Sequence, residues 1–408
     1  MFDVSAVQRR RIALYSHDTQ GLGHVRRNLA IAASLASGDP APEILLITGA
    51  PAAGVLPVPP GADFLTLPAF GKRLDGRYEA RSLLAPVGAL IELRSRILQA
   101  ALDAFDPDLL IVDKVPRGAG GELERALDDL RATGRTRCVL GLRDVLDGAA
   151  VASREWHQQR CTEAVEHYYD AVWVYGDQQV FDPIVAYGLP PVVACRTTFT
   201  GYLGHGRPTS PPGFAAPVPS EPFALCMVGG GQDGIDLARS FVQARLPRGR
   251  RGVVLTGPYM GDDDREELDR LVVSRPDMTV VGYVDMAEQF IAAAEYVVSM
   301  GGYNSVCELL AHEKRTLVVP RARPRTEQLV RARRLAERGL LDVVHPDDLS
   351  PERLSAWMAS GAGTPRGRGP VDLDGLARLP GLVDAILAPA GSPVRWQPGP
   401  RRAVRVAI

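Results

Sequence analysis

Short apolar runs, each followed by an amphipathic stretch, constrain this chain more than any other feature. Residues 11–16 (RIALYS), 44–48, 108–112 (DLLIV), 137–142 and 171–175 (AVWVY) are too short for helices and too apolar for loops. Residues 24–36, 90–105 and 121–132 repeat apolar positions at helical spacing, with Leu29, Ile31, Ala32 and Leu35 on one side of the first. A strand that is apolar throughout must be covered on both faces, and helices threaded between parallel strands do this. The alternation therefore predicts βαβ units and a mostly parallel sheet.

The pattern breaks once. Between residues 201 and 222, Pro208, Pro211, Pro212, Pro217, Pro219 and Pro222 stand among glycines and serines, the composition of a semi-rigid linker. A second alternation follows, with strands at 223–228, 252–256, 278–281 and 316–319 and helices at 235–244, 265–273 and 287–294. A loose spacer at 361–369 precedes a last helix near 373–387. At 408 residues the chain exceeds one ordinary core. The expected division is a first α/β domain over 1–205, a linker over 206–222, a second α/β domain over 223–388 and a surface tail over 389–408.

A net charge of −1 leaves no electrostatic footprint for nucleic acid. No apolar run approaches the ~18 residues of a membrane span, and MFDVSAVQRRRIALYS lacks a signal-peptide core. The five cysteines are far apart without CxxC spacing, as expected of buried thiols in a reducing cytosol. Asp262, Asp263 and Asp264 read as an exposed helix start, so no metal site is expected. Lys72, Arg73, Arg77 and Arg81 share a loop with leucines, which is either a solvated acceptor loop or a surface for peripheral membrane contact.

The chemistry concentrates where strands meet helices. The run 296–300 ends in Gly301 and Gly302, after which Asn304 and Ser305 open a helix carrying Glu308. The run 316–319 leads through a basic loop to Glu327 and Gln328 at the next helix start. Doubly wound folds bind ligands at this carboxyl edge. A helix N-terminus beside glycines suits a diphosphate, while carboxylates and an amide suit vicinal hydroxyls. Together they describe a nucleotide sugar. Gly229, Gly230 and Gly231, with Gln232, repeat the device, although a tight turn explains them equally. Glu308 has a local alternative too, because Ser305-x-x-Glu308 is a capping box.

In the first half, Gly21 and Gly23 allow close backbone approach, and His24 stands at the helix start. Asp113 ends the buried strand 108–112, where it either orients a histidine or caps the segment beginning at Lys114. Arg143 and Asp144 form either an ion pair or an acceptor contact. The first loop lacks the third glycine of GxGxxG, which disfavours a nicotinamide dehydrogenase.

The segments GLGHVRRNLAIAASL, PDLLIVDKVPRG, MVGGGQDG and GYVDMAEQFIAAAEYVVSMGGYNSVCELL, in order, resemble the GT-B glycosyltransferases, closest to bacterial proteins similar to family 28. The resemblance implies two Rossmann-like domains across a cleft, the first for the acceptor and the second for the nucleotide sugar. It implies that Glu308 bonds ribose, that Gly301, Gly302, Asn304 and Ser305 hold the diphosphate, and that Glu327 and Gln328 read sugar hydroxyls. Tyr283, Val284 and Met286 would line the base, preferably uridine. His24 would be the base, oriented by Asp113. Two departures set the chain apart from the peptidoglycan enzyme of that family: its first loop is not GTGGH, and Met300-Gly301-Gly302-Tyr303-Asn304 replaces an Arg-Ala-Gly run.

The expectation is a cytoplasmic, inverting glycosyltransferase without metal or cofactor, acting on a hydroxyl of a secondary metabolite or cell-envelope precursor. Two others stand beside it: a non-hydrolysing nucleotide-sugar epimerase of the same fold, and a non-catalytic nucleotide-binding module.

Overall fold

The computed structural model describes residues 9–17, 21–72, 78–208, 218–230, 232–282, 284, 287–361 and 370–389. The first domain begins β1 (Arg11–Ser16), α1 (Gly23–Leu35), β2 (Glu43–Thr48) and β3 (Ala62–Thr66). A small antiparallel pair, β4 (Phe70–Lys72) and β5 (Tyr78–Ala80), leads to α2 (Val87–Phe105) and β6 (Leu109–Asp113). Next come α3 (Glu124–Thr133), β7 (Arg137–Arg143), α4 (Ala149–Gln158), α5 (Cys161–Tyr168) and β8 (Ala171–Tyr175). Two short helices, α6 (Pro183–Tyr187) and α7 (Pro191–Ala194), precede β9 (Thr197–Phe199).

The second domain runs β10 (Phe223–Met227), α8 (Ile235–Gln243), β11 (Arg251–Leu255), α9 (Asp262–Val272), β12 (Met278–Val281) and α10 (Glu288–Ala293). It continues β13 (Tyr296–Ser299), α11 (Tyr303–Ala311), β14 (Arg315–Val318), α12 (Glu327–Glu337), β15 (Asp342–Val343) and α13 (Pro351–Ala359). The last helix is α14 (Gly375–Leu387).

Seven strands form the first sheet in the order β3-β2-β1-β6-β7-β8-β9, and six form the second in the order β12-β11-β10-β13-β14-β15. Every pairing in both is parallel. Side chains alternate across each strand. Ile12, Leu14, Leu109 and Ile111 pack on the α1 side, while Ala13, Tyr15, Leu110 and Val112 pack on the α2–α3 side. Burying each such leucine or isoleucine contributes about 1.5–3 kcal/mol, so both layers of helices are held strongly.

Strand order reverses between β1 and β6 in the first sheet and between β10 and β13 in the second. The loops leaving the ends of these neighbouring strands diverge to opposite faces and open a crevice. The first crevice lies at His24 and Asp113, the second at the loops after Met227 and Ser299.

Elements that the apolar pattern does not reveal are the weakly patterned ones. The strand β3 is a half-exposed edge, and α6 is a single turn made by local chemistry. Asp182 Oδ1 accepts from the N–H of Ile184 and Val185, Pro183 opens the helix, and Gly188 closes it at φ +62°.

The domain boundary also shifts. Although α14 follows the second domain in sequence, it packs on α1 of the first. Leu376, Leu379, Leu382 and Val383 join the cluster of Leu29 and Ile31, Ser34 Oγ donates to the Leu376 carbonyl at 2.6 Å, and Arg10 pairs with Asp384. The five cysteines are free, all but Cys195 buried. Among the described residues no helix is long and apolar enough to cross a membrane.

Candidate functional site

On the first domain, the chain leaves β1 at Ser16 and re-enters helix at Gly23 through Gly21, whose φ of +77° suits glycine. His24 is therefore the second residue of α1, beside the end of β6. Its Nδ1 lies 2.6 Å from Asp113 Oδ2. Asp113 is only 2 % exposed. Burial alone opposes its ionisation, but the charges of Arg27 and His24 outweigh burial and hold the carboxyl well below the usual range. An ionised Asp113 fixes His24 with the proton on Nδ1, which leaves Nε2 as the nitrogen that can accept one. The Asp113 carboxylate thus contacts the His24 ring rather than capping the segment that begins at Lys114.

Arg27, absent from the sequence reading, completes this group. It is buried, donates to the same Asp113 oxygen and lies 2.9 Å from His24 Nδ1. Helical phase marks it: Arg27 is three residues after His24 and shares its face, whereas Arg26 does not. His17 is the other neighbour missed, buried with its ring centroid 5.0 Å from that of His24. Burial, reinforced by His24 and Lys114, pushes its pKa well down, so it is neutral.

On the second domain, Gly229 at φ +64° turns the chain after β10. Its carbonyl sits where a side chain on Gly257 would need to be, 2.1 Å from an ideal Cβ, and Tyr259 N–H donates to the Gly230 carbonyl at 2.9 Å. The glycine loop is thereby clamped to the loop after β11. Gln232 is exposed at its rim. Gly231, Tyr283 and Met286 lie outside the described residues; Val284 is half-buried against the core under α10.

Gly301, at φ +75°, lies so close to Val318 that a Cβ there would come within 2.5 Å of Cγ1. Gly302 is the N-cap of α11 and brings no side chain to it. The helix begins at Tyr303, so the first-turn N–H groups, including those of Asn304 and Ser305, have no partner within the helix. That start also answers the capping-box alternative. Ser305 is inside the first turn and Glu308 lies beyond it, where its carboxylate instead accepts from Arg207 Nη1 at 3.2 Å. Arg207 reaches in from the linker and also donates to Asn304 Oδ1 at 3.1 Å.

Glu327 and Gln328 open α12. Glu327 is 4 % exposed; Oε1 accepts from Arg321 at 2.7 Å, while Oε2 has no partner among the described residues. Gln328 Oε1 accepts from the Arg321 N–H at 2.9 Å.

Asp144 departs from expectation. Neither acceptor-facing nor paired with adjacent Arg143, it is wholly buried and bound by Arg331 of α12 at 2.7–3.0 Å and by Tyr202 Oη at 2.9 Å. The strand end is enclosed by the second domain, so Asp144 is a domain-to-domain clamp. Asp147 acts similarly, accepting from Arg325 and from Thr326 N–H and Oγ1 at 2.8–2.9 Å. Arg143 stays in the cleft, its buried Nε without a partner among the described residues.

A cavity of about 540 Å³ opens beside Glu308. Leu29, Ala33 and Pro57 line it from the first domain, Ala287 and Ala311 from the second. Apolar walls with a carboxylate at the edge suit a ring with a hydroxylated appendage.

Residues 225–361 match the sequence model of the glycosyltransferase family 28 C-terminal domain. Among solved structures, the chain is similar to the calicheamicin glycosyltransferase CalG4, at 18% identity and TM-score 0.54 over 94% of this chain and 96% of that one. It is similar to the glycotransferase of kitacinnamycin, at 17% identity and TM-score 0.57 over 93% and 96%. A Listeria monocytogenes protein carrying the name UDP-N-acetylglucosamine 2-epimerase aligns at 12% identity and TM-score 0.58 over 92% and 96%. No sequence among the curated proteins matches the chain. The fold is GT-B, two Rossmann-like domains across a cleft, and the matched domain supports a glycosyltransferase.

Proposed function

We propose that this chain is an inverting, metal-independent glycosyltransferase that moves a sugar from a nucleoside-diphosphate sugar, by preference a UDP-sugar, to a hydroxyl acceptor. One contact carries the reading. Asn304 Nδ2 donates to the Gly23 carbonyl at 2.9 Å, which seats the N-terminus of α11 against the residue preceding His24. A base and an anion-binding helix end therefore meet across the cleft.

In this mechanism His24, held through Nδ1 by Asp113, takes the acceptor proton on Nε2 as the acceptor oxygen bonds to the anomeric carbon. The bond from that carbon to the diphosphate oxygen breaks, and the diphosphate leaves with the electron pair. The first-turn N–H groups of α11 and the Gly229–Gly230 loop stabilise it in place of a metal ion. Attack from the face opposite the leaving group inverts the anomeric centre. The nucleoside occupies the cavity beside Glu308, which holds the ribose once Arg207 releases it. Glu327 Oε2 takes a sugar hydroxyl. The acceptor is a secondary metabolite or a cell-envelope precursor in the cytoplasm. Exposed Arg81, Leu83 and Leu84 form the face that rests on anionic lipid when the acceptor is membrane-bound. Arg73, Arg77 and the Lys72 side chain of that basic loop lie outside the described residues.

Calorimetric titration with UDP, TDP and GDP, with and without Mg²⁺, tests the donor site. The expected result is metal-independent binding of one of them. Failure of all three would overturn the reading in favour of a nucleotide-free module. A second reading is an epimerase, favoured by the carboxylate oxygens Asp113 Oδ1 and Glu327 Oε2, which have no partner among the described residues. Incubation with donor alone separates the two, since only the epimerase returns an epimerised sugar nucleotide.

A further inference from the structure

Two cations in the cleft have no directly bonded anion among the described residues. Lys114 directly follows Asp113 and is held at φ +68°, a strained conformation for lysine, by an N–H bond to the Gly141 carbonyl at 2.8 Å. Arg143 ends the adjacent strand β7, two residues beyond Gly141. Neighbouring strands lie about 4.8 Å apart, so both side chains leave one stretch of sheet edge beside Asp113.

Neither side chain makes a hydrogen bond or ion pair among the described residues, and the buried Nε of Arg143 lacks a partner. The surrounding acids bond other cations, with Asp113 Oδ1 and Glu327 Oε2 left without a partner among the described residues. Asp113 serves His24 and Arg27, Asp144 serves Arg331, and Asp147 and Glu155 serve Arg325. Glu327, the acid whose charge acts on both cations, gives Oε1 to Arg321. Burial first, then repulsion by Arg143 and Arg325, pushes the Lys114 pKa down to about 8; burial likewise lowers that of Arg143. Desolvated like charges side by side are costly, and an anion between them removes the cost.

We propose that Lys114 and Arg143 form a subsite for an anionic group, a carboxylate or phosphate, carried by the acceptor near its attacking hydroxyl. The assignment to the acceptor rests on the reading of His24 as its base. The location supports it: both cations belong to the first domain, beside His24 and Asp113. The helix end for the donor diphosphate belongs to the second. An acidic sugar on the donor is the other source of the same chemistry.

The test uses the full chain at fixed ionic strength, titrated with inorganic phosphate and with benzoate, with and without saturating UDP. The expected result is saturable binding alongside UDP, weakened at least tenfold in Lys114→Gln and in Arg143→Gln. Arg131→Gln, on the exposed face of α3, should bind as wild type. Melting temperatures of the two cleft variants should be unchanged or raised, whereas a merely structural role would lower them. Absence of saturable binding, or equal binding in the variants, overturns the subsite. Competition between phosphate and UDP moves these cations to the donor diphosphate and overturns the acceptor assignment. So does a tenfold preference for UDP-glucuronate over UDP-glucose that vanishes in the variants. If UDP fails to bind while phosphate binds at Lys114 and Arg143, the donor reading falls and the anion subsite stands.

Discussion

At the scale of single residues, Asp113 serves two groups from one oxygen. Its charge orients His24 and neutralises Arg27, both on α1. In Asp113→Asn the histidine loses its reason to keep the proton on Nδ1. The expected result is a kcat lower by about 10²–10⁴, with UDP affinity unchanged. Steady-state kinetics beside a UDP titration check it; equal activity would remove the dyad from the mechanism. Lys114 offers a stability test. Its folded-state pKa of about 8 lies below the ~10.4 of an unfolded lysine. Between those values the unfolded chain binds more protons, so stability rises with pH across that window. Below pH 8 the folded chain carries the full cost of the buried charge. Lys114→Met should therefore raise the melting temperature by about 1–3 °C at pH 7, and by less at pH 9.5. Thermal melts at the two pH values decide it.

At the scale of elements, the loop into α11 separates folding from binding. Gly301 is required by the backbone, because φ is +75° and Val318 occupies the space of a Cβ. Gly301→Ala should cost about 1–3 kcal/mol of stability. Gly302 has an ordinary φ, and a Cβ there meets nothing within 4 Å. Gly302→Ala should leave the melting temperature unchanged yet weaken UDP binding, since its methyl group would stand where a diphosphate approaches the helix. Unchanged affinity in that variant would move the diphosphate off α11. One turn on, Glu308→Ala removes a mostly covered ion pair to Arg207, at some cost in stability that a melt would read beside the titration. Donor affinity should fall tenfold or more with the fold intact.

At the scale of the whole molecule, two domains are held in one arrangement by buried polar contacts as well as apolar packing. Asp144–Arg331 is the deepest, both partners being without exposure. Deleting one partner strands the other charge, so Arg331→Met should cost about 3–5 kcal/mol in urea unfolding. Replacing both by apolar residues should recover much of that loss. If Arg331→Met unfolds like wild type, the pair does not hold the domains. The return of α14 onto α1 acts in the same direction, joining the chain's end to its first helix.

Local chemistry determined much of this. Strands β1, β8 and β12 are legible to the residue because their apolar runs end at polar or glycine-rich loops, and His24, Asp113, Gly301 and Glu308 stand where such strands meet helices. What only tertiary structure decided is which of these residues share a space. Asp144 and Arg143 are sequence neighbours, yet one is sealed by a helix arriving 187 residues later and the other is left in the cleft. Arg207 and Arg331 have no local signal of their partners, because an ion pair between segments far apart in sequence depends on docking rather than periodicity. Strand and helix periods are set by neighbours along the chain; burial, charge pairing and the ownership of α14 are set by neighbours in space.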